Sequence, residues 1–470
     1  MIFFLEASNM IIKRLVIKQL HGIYDYDVKF NDDLTFIFGE NGCGKTTILD
    51  IVSSIVTGKI YNLGVYNFRS IVLYYQERKK TRLNRIQIES IEEGYEVSLN
   101  ETEMQERIDV SHKSGDMFSG DDDEYSYYRR FMNIYDFPRF LRETFNYIYL
   151  PLSRNSQDGF EIANPILFRR RKAMMYSEHD LVNKNYLNES LRYVEEIIRS
   201  GFMRISSAEN TINAKFRSNI FTSSLKVTSE YSFNKLLKSV KDEKTLASIE
   251  RNRKEYIKTL QSIGEWNDDS ERRVEAFFKR YRDAFEAAQQ DNSHGIGIDF
   301  LFMNVEFNRI QEIAAQAQKM EREKEALKAP ITDFLSTVNK FFAIGDDKKH
   351  VWINEEGKLI VEAEYPQRKL SLYNLSSGEK QIVIIFACLI FGLPSGKSGI
   401  YIIDEPEASL HLAWQKNFVK SIREVNSSIQ LIFATHSPEI IGGYSKYAVR
   451  LRKEVNLPTA DKTKEDIYNE

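Results

Sequence analysis

The segment Gly39-Glu40-Asn41-Gly42-Cys43-Gly44-Lys45-Thr46 constrains this chain more than any other stretch, because it fits G-x-x-x-x-G-K-[S/T] in a context where that spacing has a mechanism. Upstream, Leu34-Thr35-Phe36-Ile37-Phe38 is an apolar run of strand length. Downstream, Ile48, Ile51, Val52 and Ile55 share one helical face, and Gly58 stops the helix. A strand that breaks into a glycine-rich turn and opens a helix aims backbone N–H groups and the positive end of the helix dipole at one point. That point suits phosphate. Lys45 is expected to neutralise the β- and γ-phosphates of a nucleotide, and Thr46 to ligate Mg²⁺. Gly39, Asn41, Gly42, Cys43, Gly44, Lys45, Thr46 and Thr47 are the expected nucleotide contacts.

Other stretches extend the α/β reading. Ile12–Leu20 and Val28–Phe38 alternate apolar and polar residues across the turn-rich His21–Asp27 segment, and read as two strands. Ser98–Tyr128 is polar, with Asp121, Asp122, Asp123 and Glu124 in a row, and reads as an exposed excursion. Tyr147–Leu150 returns to strand character. From residue 161 to residue 345 the chain turns helical, charge-rich and poor in proline, as in Val305–Leu327, and reads as an inserted helical module with antiparallel hairpins. Val351–Glu364 is a hairpin about Glu355-Glu356-Gly357. The expected division is therefore 1–160, a first lobe with the phosphate loop; 161–345, the helical insertion; and 346–470, a second lobe.

The second lobe carries the remaining chemistry. Ile400–Glu405 is an apolar strand ending in two carboxylates, delivered to the C-terminal edge of a buried sheet beside the phosphate loop. Asp404 is expected to hold Mg²⁺ and Glu405 to polarise the attacking water. Leu375-Ser376-Ser377-Gly378-Glu379-Lys380-Gln381 opens a greasy helix, so Ser376 and the Gly378 N–H stand at a helix N-terminus, an anion site. Ala434-Thr435-His436-Ser437-Pro438 follows the strand Gln430–Ala434, where His436 is able to contact a γ-phosphate.

Composition narrows the setting. A formal charge of −3 excludes nucleic-acid attraction over the whole surface, so direct contact with nucleic acid would need a local patch such as Arg169-Arg170-Arg171-Lys172. Two cysteines, Cys43 and Cys388, suit a reducing compartment, and a cytoplasmic location is expected. The apolar run Ile382–Leu393 ends at Pro394, short of the ~20 residues that cross a bilayer, and no secretory leader opens the chain, so no membrane role is expected.

Taken in order, the four motifs resemble the ABC ATPase superfamily, in the branch that includes RecF, the structural-maintenance-of-chromosomes proteins and the overcoming-lysogenization-defect nucleases. The resemblance implies an α/β head of two lobes with an inserted α-helical arm, ATP and Mg²⁺ as ligands, and ATP hydrolysis involving Lys45, Glu405 and His436. It also implies a self-pair in which Ser376 and Gly378 complete the site at Lys45 of another copy. Ser377 and Glu379 stand where transporters carry glycine and glutamine, which weighs against a transporter. The glutamine of the loop that senses nucleotide is left open between Gln76 and Gln157. Asp404-Glu405-Pro406-Glu407-Ala408-Ser409-Leu410-His411 resembles the stand-alone ATPases of bacterial anti-phage systems of the PARIS type, with the Septu type as near alternative. The chain ends soon after His436, so the nuclease effector, Toprim or alternatively HNH, is expected as a separate chain restrained until a DNA-mimicking phage protein is sensed. A DNA-clamping repair ATPase is the competing expectation.

Overall fold

The structure, a computed structural model, describes residues 9–101, 103–110, 124–151, 161–162, 186–224, 244–262, 266–290, 298–344, 348–392 and 398–455. Two compact units make up the chain, one of Met1–Gly201 with Thr332–Glu470 and the other of Phe202–Ile331.

The first unit begins with strands β1 (Met10–Leu20), β2 (Tyr24–Lys29) and β3 (Leu34–Phe38), then helix α1 (Lys45–Val56). Strands β4 (Ser70–Glu77), β5 (Leu83–Ile91), β6 (Gly94–Leu99) and β7 (Met104–Asp109) follow, then helices α2 (Glu124–Ile134) and α3 (Asp136–Thr144), β8 (Tyr147–Pro151) and the short β9 (Glu161–Ile162). Four long helices come next: α4 (Tyr186–Ser224), α5 (Lys244–Ser262), α6 (Asp268–Gln290) and α7 (Ile298–Phe342). Beyond them lie β10 (Lys349–Ile353), β11 (Leu359–Ala363), β12 (Arg368–Leu370), α8 (Ser377–Phe391), β13 (Ile400–Asp404), α9 (Leu412–Val425), β14 (Gln430–Ala434), α10 (Pro438–Ile441), β15 (Ala448–Arg450) and β16 (Glu454–Val455).

These strands form a seven-stranded antiparallel sheet ordered β16-β2-β1-β4-β5-β6-β7, a three-stranded sheet β10-β11-β12, and a six-stranded sheet β15-β3-β14-β13-β8-β9. The six-stranded sheet is parallel apart from β9. Its central strands are buried throughout, as expected where both faces are covered. Side chains alternate between the two faces. Ile37, Ile400, Ile402 and Ile432 join a core with α1, β1 and β4. Turned the other way, Phe36 stacks on Phe433, Phe433 meets Phe418 of α9, and the Tyr401 hydroxyl donates to the Ile385 carbonyl of α8 at 2.6 Å.

Two readings of the sequence change here. Val28–Phe38 is not one strand: β2 belongs to the antiparallel sheet and β3 to the parallel one. Asn31, Asp32 and Asp33 make the break, with the Asn31 N–H donating to Thr35 Oγ1, an Asx/Thr-type local bond that competes with strand pairing. The second change is in Ser98–Tyr128, where β7 pairs along β6 and α2 begins at Glu124. Polar residues there occupy an edge strand whose outward face meets water. Residues 111–123, with Asp121, Asp122 and Asp123, lie outside the described residues, as do Gln157 and the Arg169–Lys172 run. Gln76 lies in β4, opposite Ile11 and Leu83.

The fully buried Gln430 stitches the two large sheets together. Its Oε1 accepts from the Ile12 N–H at 2.8 Å, and its Nε2 donates to the carbonyls of Ile12 and Asn31 at 2.7 and 2.8 Å. A buried amide is tolerated because both of its ends are satisfied. In the second unit Val274, Phe278, Tyr281, Phe285 and Met303 form a small core.

Candidate functional site

The register of the parallel sheet builds the site. Asp404 stands opposite Ala434, and Ala434 opposite Ile37, so β3, β14 and β13 end on one edge. The loops leaving that edge carry the glycine-rich segment Gly39–Thr46, His436 and Glu405. One strand, β14, stands between β3 and β13. The gap is bridged by a side-chain bond, Thr46 Oγ1 donating to Asp404 Oδ2 at 2.9 Å.

In the loop, Gly42 and Gly44 adopt φ of 74° and 100°, conformations that side chains rarely accept. At Gly44 an added Cβ would also fall 2.8 Å from the Tyr26 hydroxyl, which donates to the Cys43 carbonyl at 3.1 Å. Burial pushes the Tyr26 phenol up to about 12, so it stays a donor at neutral pH. The Lys45 ammonium is folded back into the loop, donating to the carbonyls of Gly39 and Glu40 at 3.2 and 3.3 Å, with Cys43 Sγ at 3.9 Å. Those carbonyls occupy donors that a phosphate oxygen would take. Lys453 of the segment after β15 donates to the Gly42 carbonyl at 2.6 Å and lies over the Tyr24 ring, a contact the sequence reading did not find. Asn41 is exposed and Thr47 half-buried on either side of this core.

Asp404 is fully buried and its Oδ1 has no hydrogen-bond partner among the described residues. Burial, opposed by the Thr46 hydrogen bond and reinforced by Glu405, Asp50 and Glu407, pushes its carboxyl up to about 7. A free carboxylate oxygen in such a place is short of a cation. Mg²⁺ binds through one or two protein oxygens plus substrate phosphates, and Thr46 and Asp404 supply hard oxygens of that kind. Among the described residues no three His, Cys, Asp or Glu side chains converge as a metal site, so phosphate oxygens would have to complete the shell. The residues fit Mg²⁺ on those terms.

Glu405 sits at φ 49° and ψ 55°, a left-handed conformation that costs a non-glycine residue about 1–3 kcal/mol and persists where surroundings hold it. Its N–H donates to the Ala434 carbonyl at 2.9 Å, and its Oε1 lies 3.9 Å from His436 Nε2. Lys45, Thr46, Asp404, Glu405 and His436 are thus gathered at one sheet edge.

Ser376 and Gly378 make a separate group. Ser376 caps α8 in a capping box: its Oγ accepts from the Glu379 N–H, and its own N–H donates to Glu379 Oε2 at 2.8 Å. The other oxygen of Glu379 pairs with Lys349 of β10 at 2.7 Å, with both side chains almost fully buried. Gly378 packs so closely that a Cβ would lie 2.4 Å from the Ser409 carbonyl oxygen. Among the described residues no hydrogen bond joins Ser376 or Gly378 to the phosphate loop.

The sequence-family profile described as AAA ATPase domain matches residues 10–441, which span all of this geometry. The chain belongs to the AAA ATPase domain family. Local similarity reaches the probable ATPase of retron Vc95 from Vibrio cholerae serotype O1 biovar El Tor, 28% identical over 97 residues, 19% of each chain. It also reaches the probable ATPase of retron Ec83 from Escherichia coli, 35% identical over 80 residues, 15% of each. The chain thus spans less than a fifth of the length of the curated relatives it matches. Among solved structures it is similar to the Smc head domain with an extended coiled coil bound to the C-terminal domain of ScpA from Pyrococcus furiosus. The TM-score is 0.39, with 15% identity, over 95% of this chain and 96% of that one. The Smc head domain with a coiled coil and joint from Pyrococcus yayanosii gives 0.37 and 14%, over 95% and 97%. Among the described residues no helix of this AAA-family chain is long and apolar enough to cross a membrane.

Proposed function

We propose that this chain binds and hydrolyses ATP as the sensor and scaffold subunit of an anti-phage defence complex, restraining a separate nuclease until a phage protein is sensed. In this reading the sheets form a two-lobed head and the long helices its inserted arm. The observation that carries the ATPase part is the bond from Thr46 to a buried Asp404 that lacks a partner for its second oxygen, beside a Glu405 held in a strained backbone. The defence part rests on the resemblance of Asp404–His411 to stand-alone anti-phage ATPases, and the local likeness to two retron ATPases supports it.

The chain's own groups divide the work. Loop N–H groups from Gly39 to Thr47 surround the phosphates, and Lys45 exchanges the Gly39 and Glu40 carbonyls for β- and γ-phosphate oxygens. Thr46 and Asp404 hold Mg²⁺, which supplies charge neutralisation for the transferred phosphoryl group when bound. Glu405 orients water against the γ-phosphorus and accepts its proton, while His436 donates to a γ-oxygen. Ser376 and the Gly378 N–H close the site of a second copy, making the self-pair the active form.

The test is co-purification of tagged wild type, Lys45→Ala and Glu405→Gln from cells carrying the native gene neighbourhood, with ATPase assays on each preparation. The expected result is Mg²⁺-dependent hydrolysis abolished in both variants, and a Toprim or HNH nuclease whose recovery depends on nucleotide state. Recovery of DNA or membrane subunits with no nuclease would sink the defence reading and leave the ATPase standing.

A further inference from the structure

Beyond its last paired residue, Ala434, strand β14 leaves the sheet, and the backbone there needs new partners. The Thr435 N–H donates to the Ile37 carbonyl at 3.2 Å, but the next two N–H groups have no strand to meet. The first is taken by a carboxylate, and the second is shared between that carboxylate and Thr435 Oγ1, which accepts it at 3.0 Å. Glu407 Oε1 accepts from the His436 N–H at 2.5 Å and from the Ser437 N–H at 3.2 Å. The same turn is held from α9, where Gln415 Oε1 accepts from the Ser437 hydroxyl at 2.7 Å and Gln415 Nε2 donates to the Leu410 carbonyl at 2.8 Å.

Glu407 reaches this place because of Glu405. The left-handed backbone at Glu405 turns the chain out of β13 into the 3-10 turn Pro406–Ser409, which closes through the Ala408 N–H to the Glu405 carbonyl at 3.1 Å. The imidazole of His436, by contrast, is about one-third exposed, with its Nε2 3.9 Å from Glu405 Oε1. A side chain so lightly held is placed by its backbone, and the acceptor for that backbone N–H is Glu407.

We infer that Glu407 is a positioning residue for hydrolysis: its carboxylate anchors the His436–Ser437 backbone and so sets the His436 imidazole beside Glu405 at the sheet edge. Charge-assisted bonds to two consecutive N–H groups are about twice as strong as neutral ones, and they fix a loop of which the reacting group is part. The inference rests on the ATPase reading.

The experiment compares Glu407→Ala, Glu407→Gln and His436→Ala, alone and combined, by Mg²⁺-ATP kinetics and by amide exchange of peptides covering Thr435–Ser437. Glu407→Ala should lower kcat by about 10- to 100-fold with KM within about twofold, and Glu407→Gln, which keeps a carbonyl acceptor, should recover to within about threefold of wild type. In a His436→Ala background the alanine change should add less than about twofold, since both lesions remove the same placement. Exchange at Thr435–Ser437 should speed up in Glu407→Ala and return toward wild type in Glu407→Gln. Equal losses with and without His436, glutamine as slow as alanine, or unaltered exchange would each overturn the inference. Absence of hydrolysis in the wild type would remove the ATPase reading instead, and exchange would then decide the anchoring alone.

Discussion

Replacing Asp404 by asparagine should stabilise the metal-free protein while abolishing its activity. The carboxyl is fully buried and pushed from the ordinary aspartate value of 3.8 to about 7, first by burial and then by Glu405, Asp50 and Glu407 against the Thr46 bond. A folded-state value above the unfolded one means that, between those pH values, the folded chain keeps a proton the unfolded chain has released. Stability therefore falls as pH rises through that window, and the penalty is complete above about 7. Three pH units correspond to about 4 kcal/mol. Asparagine keeps the acceptor for Thr46 but sets an unpaired amide at the position of Oδ1, a loss of about 1–2 kcal/mol. The expected net gain is about 2–3 kcal/mol at pH 8, smaller by about 2 kcal/mol at pH 5.5, where the wild-type carboxyl is protonated. Urea midpoints of both proteins in chelator, at the two pH values, measure it. Millimolar Mg²⁺ added with ATP should raise the wild-type midpoint at pH 8 by more than that of the variant. A variant no more stable than wild type at pH 8, or a gain identical at both pH values, would refute the reasoning.

Cys43 lies half-buried with its Sγ 3.9 Å from Lys45 Nζ. Alkylation there should weaken ATP binding by more than about tenfold through steric blockage, with ATP protecting the thiol; fluorescent-nucleotide titration of protein whose modification is verified by mass checks this, and unchanged affinity would remove Cys43 from the loop. Lys349→Met leaves the Glu379 carboxylate buried without its cation. A loss of about 3–5 kcal/mol is expected, with nucleotide affinity at Lys45 kept; thermal unfolding and the same titration measure both, and a loss below about 0.5 kcal/mol would show that the pair does not hold the α8 cap.

Much of this arrangement was legible because it is local. The phosphate loop, its strand and its helix, the carboxylates ending β13 and the cap at Ser376 are written within a few consecutive residues each, where glycine spacing and apolar period carry the signal. What escaped depends on distance in sequence. The break at Asn31–Asp33 looks like one continuing strand until the sheet memberships of β2 and β3 are known. That β14 separates β3 from β13 is a matter of topology, which periodicity does not encode. Glu407 stands in plain view in the Asp404–His411 run, but nothing there names an acceptor for N–H groups about thirty residues on. Gln430 was read as an ordinary strand opening, though a lone amide ahead of a wholly apolar strand is the kind of residue whose buried partners are worth seeking.

The place of β14 between β3 and β13 has a consequence for how the protein comes into being. Its pairing partner Leu34 precedes Leu431 by about 400 residues. At ~5–20 residues per second of synthesis, the phosphate loop waits about 20–80 s for the strand that fixes its sheet. Pairings that distant are slow to form even in the finished chain. A growing polypeptide thus carries its glycine-rich loop through the synthesis of about 400 further residues without the neighbour that shapes it, and the edge that gathers Thr46 and Asp404 closes only after β14 has been made.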